Sequence, residues 1–218
     1  MRIHITLRSD NKLVPFNYQP AITGAIHKWI GKNEVHDKTS MYSFSWLKGG
    51  RKNGDGLIFE NGSNFEFSAH DNILIKQLIL GIQIDPMINY GLEVSEIVIQ
   101  ETPRFSKRET FFVTSPVLVK RTVEERDIHF TFDQLETDKL LTETMKTKLK
   151  RAGLDDSNIQ LAFDRSYYGA KTKLVYYKNI GNKANICPVI IEGTPEQIAF
   201  AWNVGVGNST GIGFGSLK

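Results

Sequence analysis

Apolar and polar residues alternate at the start of the chain, where Ile3, Ile5 and Leu7 are separated by His4 and Thr6. That period of two predicts a half-buried strand over residues 2–8. After an irregular stretch, Leu13-Val-Pro-Phe-Asn, the spacing changes. Ile22, Ile26, Trp29 and Ile30 fall on one face of a helix, with Pro20 suited to its first turn and Gly31 to its end. Residues 40–47 and 56–67 read as strands joined by a basic turn over 48–52. Asp71 can cap a second helix with Leu74, Leu78 and Ile82 inward, and residues 92–100 alternate again.

The first hundred residues thus predict β-α-β-β-α-β, the ferredoxin-like order. The order then recurs. A strand is expected over 111–119, and a helix over 137–151 with Leu140, Leu141, Met145 and Leu149 inward. Strands follow over 159–163 and 174–177, with 186–191 a further strand or a continuation. A helix opens at Thr194-Pro195 and runs through Trp202, and residues 213–217 end the chain as a short strand. The expected fold is α+β: two tandem ferredoxin-like units, RRM-like, over 1–105 and 106–218. The junction lies at the polar, basic stretch Pro103 to Arg108.

The chain end carries five glycines, Gly205, Gly207, Gly211, Gly213 and Gly215, with Val206, Ile212 and Phe214 in the gaps. Glycine costs backbone entropy, so the cluster points to a task for the backbone itself. A dinucleotide fingerprint must follow a strand and open a helix; here a helix precedes the glycines and no chain remains for another. A P-loop needs Gly-Lys-Ser/Thr, and no lysine follows until Lys218. Two readings remain: a nest of N–H groups suited to phosphate, or a glycine-rich turn closing a sheet.

The 218 residues can form one large domain or two small ones, and 40% hydrophobic with 23% charged content is ordinary for a globular chain. A net charge of +3 announces no nucleic-acid partner globally, so any basic site is local. The one cysteine, Cys187, rules out an internal disulfide and a cysteine zinc cluster. No apolar run approaches a membrane span, and the N-terminal strand lacks the apolar core of a signal peptide. The expectation is a soluble, cytoplasmic protein with no membrane partner.

Local basic sites do occur. Between Arg165 and Ile191 stand Arg165, Lys171, Lys173, Lys178 and Lys183, with no Asp or Glu, interleaved with Tyr167, Tyr168, Tyr176 and Tyr177. Cations beside aromatic faces suit phosphate contact and base stacking in RNA. Smaller clusters are Arg104/Lys107/Arg108 and Lys48/Arg51/Lys52. For any one cluster the ordinary alternative is a solvated hairpin. No helix-turn-helix or zinc finger is present to enter a major groove.

Of the five histidines, none forms a metal pair at helical spacing, and no HExxH occurs. His4, His70 and His129 read as structural or surface residues. His27 lies on the flank of the first helix's apolar stripe, and His36 in the polar loop after that helix. Two imidazoles can divide base and acid roles near neutral pH. RNA brings its own nucleophile, the 2′-hydroxyl. A protein cleaving it needs a base, an acid and a cation for the phosphorane charge, and no metal or cofactor.

The chain resembles the CRISPR repeat-processing endoribonucleases of the RAMP superfamily, which cut precursor CRISPR RNA within its repeats. The resemblance rests on the first strand, on Leu13-Val-Pro-Phe-Asn-Tyr18 and on Gly24-Ala-Ile-His-Lys-Trp-Ile30. It rests further on the aromatic strand Met41-Tyr-Ser-Phe-Ser45 and the glycine-rich end Gly205-Val-Gly…Gly211-Ile-Gly-Phe-Gly215. It covers nearly the whole chain. It implies two ferredoxin-like units and metal-independent cleavage to a 2′,3′-cyclic phosphate and a 5′-hydroxyl.

By the same resemblance His36 matches the family's loop histidine. His27 stands where the first helix often carries a tyrosine. Ser40 holds the place of a frequent lysine, with Lys38 two residues earlier. The implied catalytic set is His36, assisted by His27, with Lys38 or a neighbouring lysine as the cation. The repeat RNA would be held by Gly205, Gly207, Ser209, Thr210, Gly211, Gly213, Arg165, Lys171, Lys173, Lys178 and Tyr168. A homodimer and a place in a CRISPR effector complex both stay open. The alternatives are a RAMP subunit that binds CRISPR RNA without cutting it, and a ferredoxin-like interaction module with no nucleic-acid role.

Overall fold

The computed structural model describes residues 1–31 and 40–218. Strand β1 (Arg2–Ser9) lies between β6 (Ser63–Ala69) and β7 (Leu92–Gln100), antiparallel to both, and β3 (Tyr42–Phe44) flanks β6. The sheet order β3-β6-β1-β7 is the ferredoxin-like one. Helices α1 (Gln19–Ile30) and α2 (Asn72–Ile84) cross between the strands. Helix α1 buries Ile22, Ile26, Trp29 and Ile30, and the Asp71 side chain accepts from the Ile73 N–H at 2.8 Å to start α2. A small sheet of β2 (Val14–Pro15), β5 (Gly56–Ile58) and β4 (Arg51–Asn53) stands beside this unit. The expected basic turn at 48–52 is therefore partly strand.

The second unit repeats the plan. Its sheet runs β11 (Gln160–Phe163), β14 (Val189–Glu192), β8 (Arg108–Phe111). The fourth position is held by the chain end, through a single bridge between Val113 and Leu217 and the Thr114 N–H to Ser216 carbonyl bond of 2.8 Å. The strand expected over 213–217 is thus reduced to a bridge, because positive φ at Gly213 and Gly215 breaks the extended run. Helices α3 (Glu136–Arg151) and α4 (Pro195–Val204) complete the unit. Thr194 and Gln197 form a capping box at the start of α4.

Two hairpins are inserted: β9 (Lys120–Val123) with β10 (Arg126–His129), and β12 (Lys171–Tyr177) with β13 (Ile180–Ile186). The strand expected over 111–119 is interrupted at Pro116, which has no N–H to give a ladder; its carbonyl instead accepts from Gly215. The β9–β10 hairpin was not foreseen, since its turn places Glu124 and Glu125, neither a preferred residue, at positive φ.

Each unit has its own buried cluster, one drawn from Ile3 to Val94 and the other from Phe111 to Leu217. The units meet along α4 and the glycine-rich segment. Arg2, on β1, donates to the carbonyls of Trp202 and Leu217 at 3.2 and 2.7 Å and stacks 3.6 Å over the Trp202 ring. Burial lowers its pKa to about 10, still far above neutrality, so Arg2 remains charged in the seam. Among the described residues no helix is long and apolar enough to cross a membrane.

Candidate active site at the seam between the units

The glycine-rich segment is the wall that joins the two units. Gly205, Gly207, Gly211 and Gly213 are buried, as is Thr210, while Ser209 is half-buried. Their packing accounts for the glycines. Gly205 has φ +72°, and a Cβ there would lie 2.7 Å from Ser43 Cβ on β3. A Cβ on Gly211 would lie 2.2 Å from Ser40 Oγ. Backbone of the second unit therefore rests directly on the first unit's aromatic strand. Many of the segment's N–H groups are spent inside the protein: Val206 on Gly215, Asn208 on Leu118, Gly213 on Thr210 and Gly215 on Pro116. Of the two readings open for the segment, the turn that closes a sheet describes its backbone better than an open phosphate nest.

A cavity of about 480 Å³ opens on the outer side of this wall. Gly207, Asn208, Ser209 and Thr210 form one side, Arg121, Thr144 and Lys148 another, and Ser40 the rim. Arg121 is held by the Leu140 carbonyl at 2.8 Å and by Glu143 at 3.3 Å. Hydroxyls, an amide, Arg121 and Lys148 converge here with the Glu143 carboxylate, which pairs with Arg121.

His27 is linked to the same segment through Tyr42. Its Nε2 is 3.2 Å from Tyr42 Oη, and the Tyr42 hydroxyl donates to the Gly211 carbonyl at 3.4 Å. With the Tyr42 proton directed to Gly211, His27 Nε2 is the donor of the pair. Burial pushes the Tyr42 hydroxyl up to about 12, with Tyr177 adding to the shift, so it stays protonated at neutral pH and orients rather than removes protons. Helix α1, strand β3 and the glycine segment are thereby linked in one chain of hydrogen bonds. His36 and Lys38 lie outside the described residues, in the connection from α1 to Ser40.

The basic residues divide in the structure. Lys171, Lys173 and Lys178 are exposed on the β12–β13 hairpin, and Tyr168 is 98% exposed just before it. Lys173 Nζ sits 4.6 Å over the Trp46 ring of the first unit. Arg165 is different. It pairs with Asp138 at 2.6 Å and donates to the Gln134 carbonyl at 3.0 Å, so its acid partner comes from α3 rather than from the acid-free run. Lys48 and Arg51 pair with Glu66 and Glu60, and Arg108 with Glu192. Half of the cations in the two smaller clusters are thus paired with acids that lie outside the clusters.

Sequence reasoning missed Lys148. It lies seven residues after Leu141 and three after Met145, on the stripe that faces inward, and is only 2% exposed. A lysine inside an apolar helical stripe was the available signal. Among the described residues no group of three or more His, Cys, Asp or Glu is placed to hold a metal.

Comparison with known proteins bears on this arrangement. The family profile described as "CRISPR associated protein Cas6, C-terminal" matches residues 99–218, more than half of the chain. The chain belongs to the Cas6 family. Members of the Cas6 family are CRISPR endoribonucleases of the RAMP group. Cas6 structures share the whole architecture. A Cas6-related protein from Pyrococcus furiosus superposes with a TM-score of 0.87 at 20% identity, covering 100% of this chain and 97% of that one. A protein described as "CRISPR associated protein Cas6" gives 0.83 at 18%, covering 100% and 98%. One described as "An RAMP protein binding different RNA substrates" gives 0.85 at 18%, with the same coverage. At such identities these likenesses establish the tandem ferredoxin-like fold. No curated protein matches the sequence.

Proposed function

We propose that the protein binds precursor CRISPR RNA at its repeats and cleaves it without a metal, at the seam between the two units. The observation that carries this reading is the His27–Tyr42–Gly211 chain of hydrogen bonds. It brings a potential proton-transfer group of α1 to the glycine segment, next to a cavity lined with hydroxyls, Arg121, Lys148 and Glu143. The connection bearing His36 and Lys38 begins at the end of α1 and ends at Ser40, on the cavity rim.

In the reaction, the 2′-oxygen of the RNA attacks the adjacent phosphorus as a base removes its proton. The P–O5′ bond breaks, and an acid delivers a proton to the departing 5′-oxygen. The products are a 2′,3′-cyclic phosphate and a 5′-hydroxyl. His36 serves as general acid or base with His27 assisting, and Lys38 or a neighbouring cation stabilises the phosphorane. The β12–β13 hairpin holds the RNA through Lys171, Lys173 and Lys178, with Tyr168 offering a stacking face.

The test is incubation of the protein with its cognate repeat RNA in EDTA. Cleavage to a cyclic phosphate is expected. Activity that appears only on adding magnesium would overturn the metal-free mechanism. Replacing the 2′-hydroxyl at the cut site by hydrogen should abolish cleavage and leave binding intact. If the natural RNA is also bound but never cut, the non-cleaving RAMP subunit is the correct reading. His36→Ala should lower the single-turnover rate by about 10²–10⁴ if His36 is the acid or base.

A further inference from the structure

Lys148 is buried beneath the cavity with three oxygen atoms around its ammonium: the carbonyls of Val204 and Gly205 at 3.4 and 3.1 Å, and Thr210 Oγ1 at 3.1 Å. Among the described residues no carboxylate forms an ion pair with it. Among the described residues, the other charged groups facing the same cavity are Arg121, on β9, and Glu143, on α3, which pair with each other. Helix α4 contributes the negative end of its dipole at Val204 and Gly205, and the glycine segment contributes no charge.

An ammonium has three N–H donors, and here it meets three acceptors. Two belong to the last turn of α4. The third belongs to the glycine segment, five residues further on. The side chain therefore spans from α3 to both ends of the Gly205–Thr210 stretch. A neutral amine has only two N–H groups and must release at least one acceptor. Desolvation by burial lowers the pKa of Lys148 to about 7, so the change of state falls near neutral pH.

We propose that Lys148 is a positioning residue: its protonated side chain clamps Thr210 to the end of α4 and so holds the glycine-segment wall of the cavity in place. Its part in RNA cleavage rests on the processing reading above. The clamp itself does not, because it can be observed in the free protein. Protonated, Lys148 fixes the Thr210 hydroxyl, whose own proton is left to donate into the cavity. As pH rises through the lysine's pKa, the Thr210 contact is the one expected to be released, since the two carbonyls are anchored in a helix end.

The experiment follows the Lys148 ε-carbon and the amides of Ser209, Thr210 and Gly211 by NMR from pH 5.5 to 9, without RNA. The segment's amides are expected to shift with the midpoint of Lys148. In Thr210→Val, Lys148 should still titrate while the amides no longer follow it, and Thr210→Ser should restore the coupling. Amides that do not move with Lys148 in the wild-type protein would overturn the clamp, and this arm does not depend on a variant that folds.

A second arm uses cognate repeat RNA. At saturating protein, Thr210→Val is expected to slow single-turnover cleavage at least tenfold at pH 6.5, and Thr210→Ser to recover it. Cleavage by Thr210→Val at the wild-type rate would remove the positioning role. A wild-type protein whose segment titrates with Lys148 but never cuts RNA would sink the processing reading instead.

Discussion

Tyr42 shows how much one side chain contributes at the seam. Its ring is buried against Phe67, with centroids 5.2 Å apart, and its hydroxyl is the only polar part reaching toward His27 and Gly211. Tyr42→Phe keeps the ring and deletes the link. The expected loss of stability is about 1 kcal/mol, the usual net worth of a hydrogen bond, measurable by denaturant unfolding. On the proposed function, single-turnover cleavage should fall at least tenfold because the His27 ring loses an orienting partner. Unchanged cleavage would leave Tyr42 as packing alone. His27 was legible in the sequence as a histidine on the flank of an apolar stripe. Tyr42 was legible only as part of an aromatic strand, since its hydroxyl partner Gly211 lies 169 residues away.

Gly205 extends the argument from side chain to backbone. Alanine there would meet Ser43 Cβ and the Gly215 carbonyl, both at 2.7 Å, on a backbone with φ +72°. Overpacking costs about 1–3 kcal/mol, and the positive-φ, extended-ψ backbone about 1–3 kcal/mol more. Gly205→Ala is therefore expected to lower stability by several kcal/mol, visible as a reduced urea midpoint. A midpoint equal to wild type would mean that the two units do not pack as tightly as the structure has them.

At the scale of elements, the β12–β13 hairpin carries three exposed lysines, Lys171, Lys173 and Lys178, to which the proposed function assigns RNA contact. Its turn places Lys178 and Asn179 at positive φ, which keeps the hairpin tight and projects Lys171 and Lys173 along one strand. Replacing Lys171, Lys173 and Lys178 together by Gln should weaken RNA binding and make the plot of log K against log salt shallower by about 2, since each phosphate contact to a single strand contributes about 0.7. An unchanged slope would place the RNA elsewhere. The acid-free composition of this stretch was visible in sequence, and the structure gathers Lys171, Lys173, Lys178 and Lys183 in one hairpin. It overstated Arg165, whose partner Asp138 lies on α3, 27 residues earlier. Ion pairs between elements cannot be read from a local window of charge.

At the scale of the whole molecule, Lys148 links stability to pH. Its pKa is about 7 in the fold against 10.5 ordinarily, so between those values the unfolded chain binds more protons than the native one. Stability from this group therefore rises with pH across that window and is flat below it. The melting temperature of wild type minus that of Lys148→Met should increase from pH 7 to 9, provided the variant folds. A difference that stays constant would mean that Lys148 does not titrate there. The subtraction cancels groups shared by both proteins, such as Cys187, whose thiol burial pushes up to about 11.

The sequence by itself determined the β-α-β-β-α-β plan of both units without the β9–β10 hairpin, the cap at Asp71, the helix start at Thr194, the apolar faces of the helices and the terminal glycines. All of these are local: they follow from periods of 2 and 3.6 and from what glycine, proline and capping residues permit within a few positions. Only the tertiary structure decided what the glycines do. They bring the backbone of the second unit against Ser40 and Ser43 of the first, a contact no periodicity encodes. It also decided that Lys148, one more cation in a charged helix, is the group that spans α4 and Thr210. Desolvation and long-range acceptors set its chemistry, and both arise only when α3, α4 and the glycine segment of the second unit pack together.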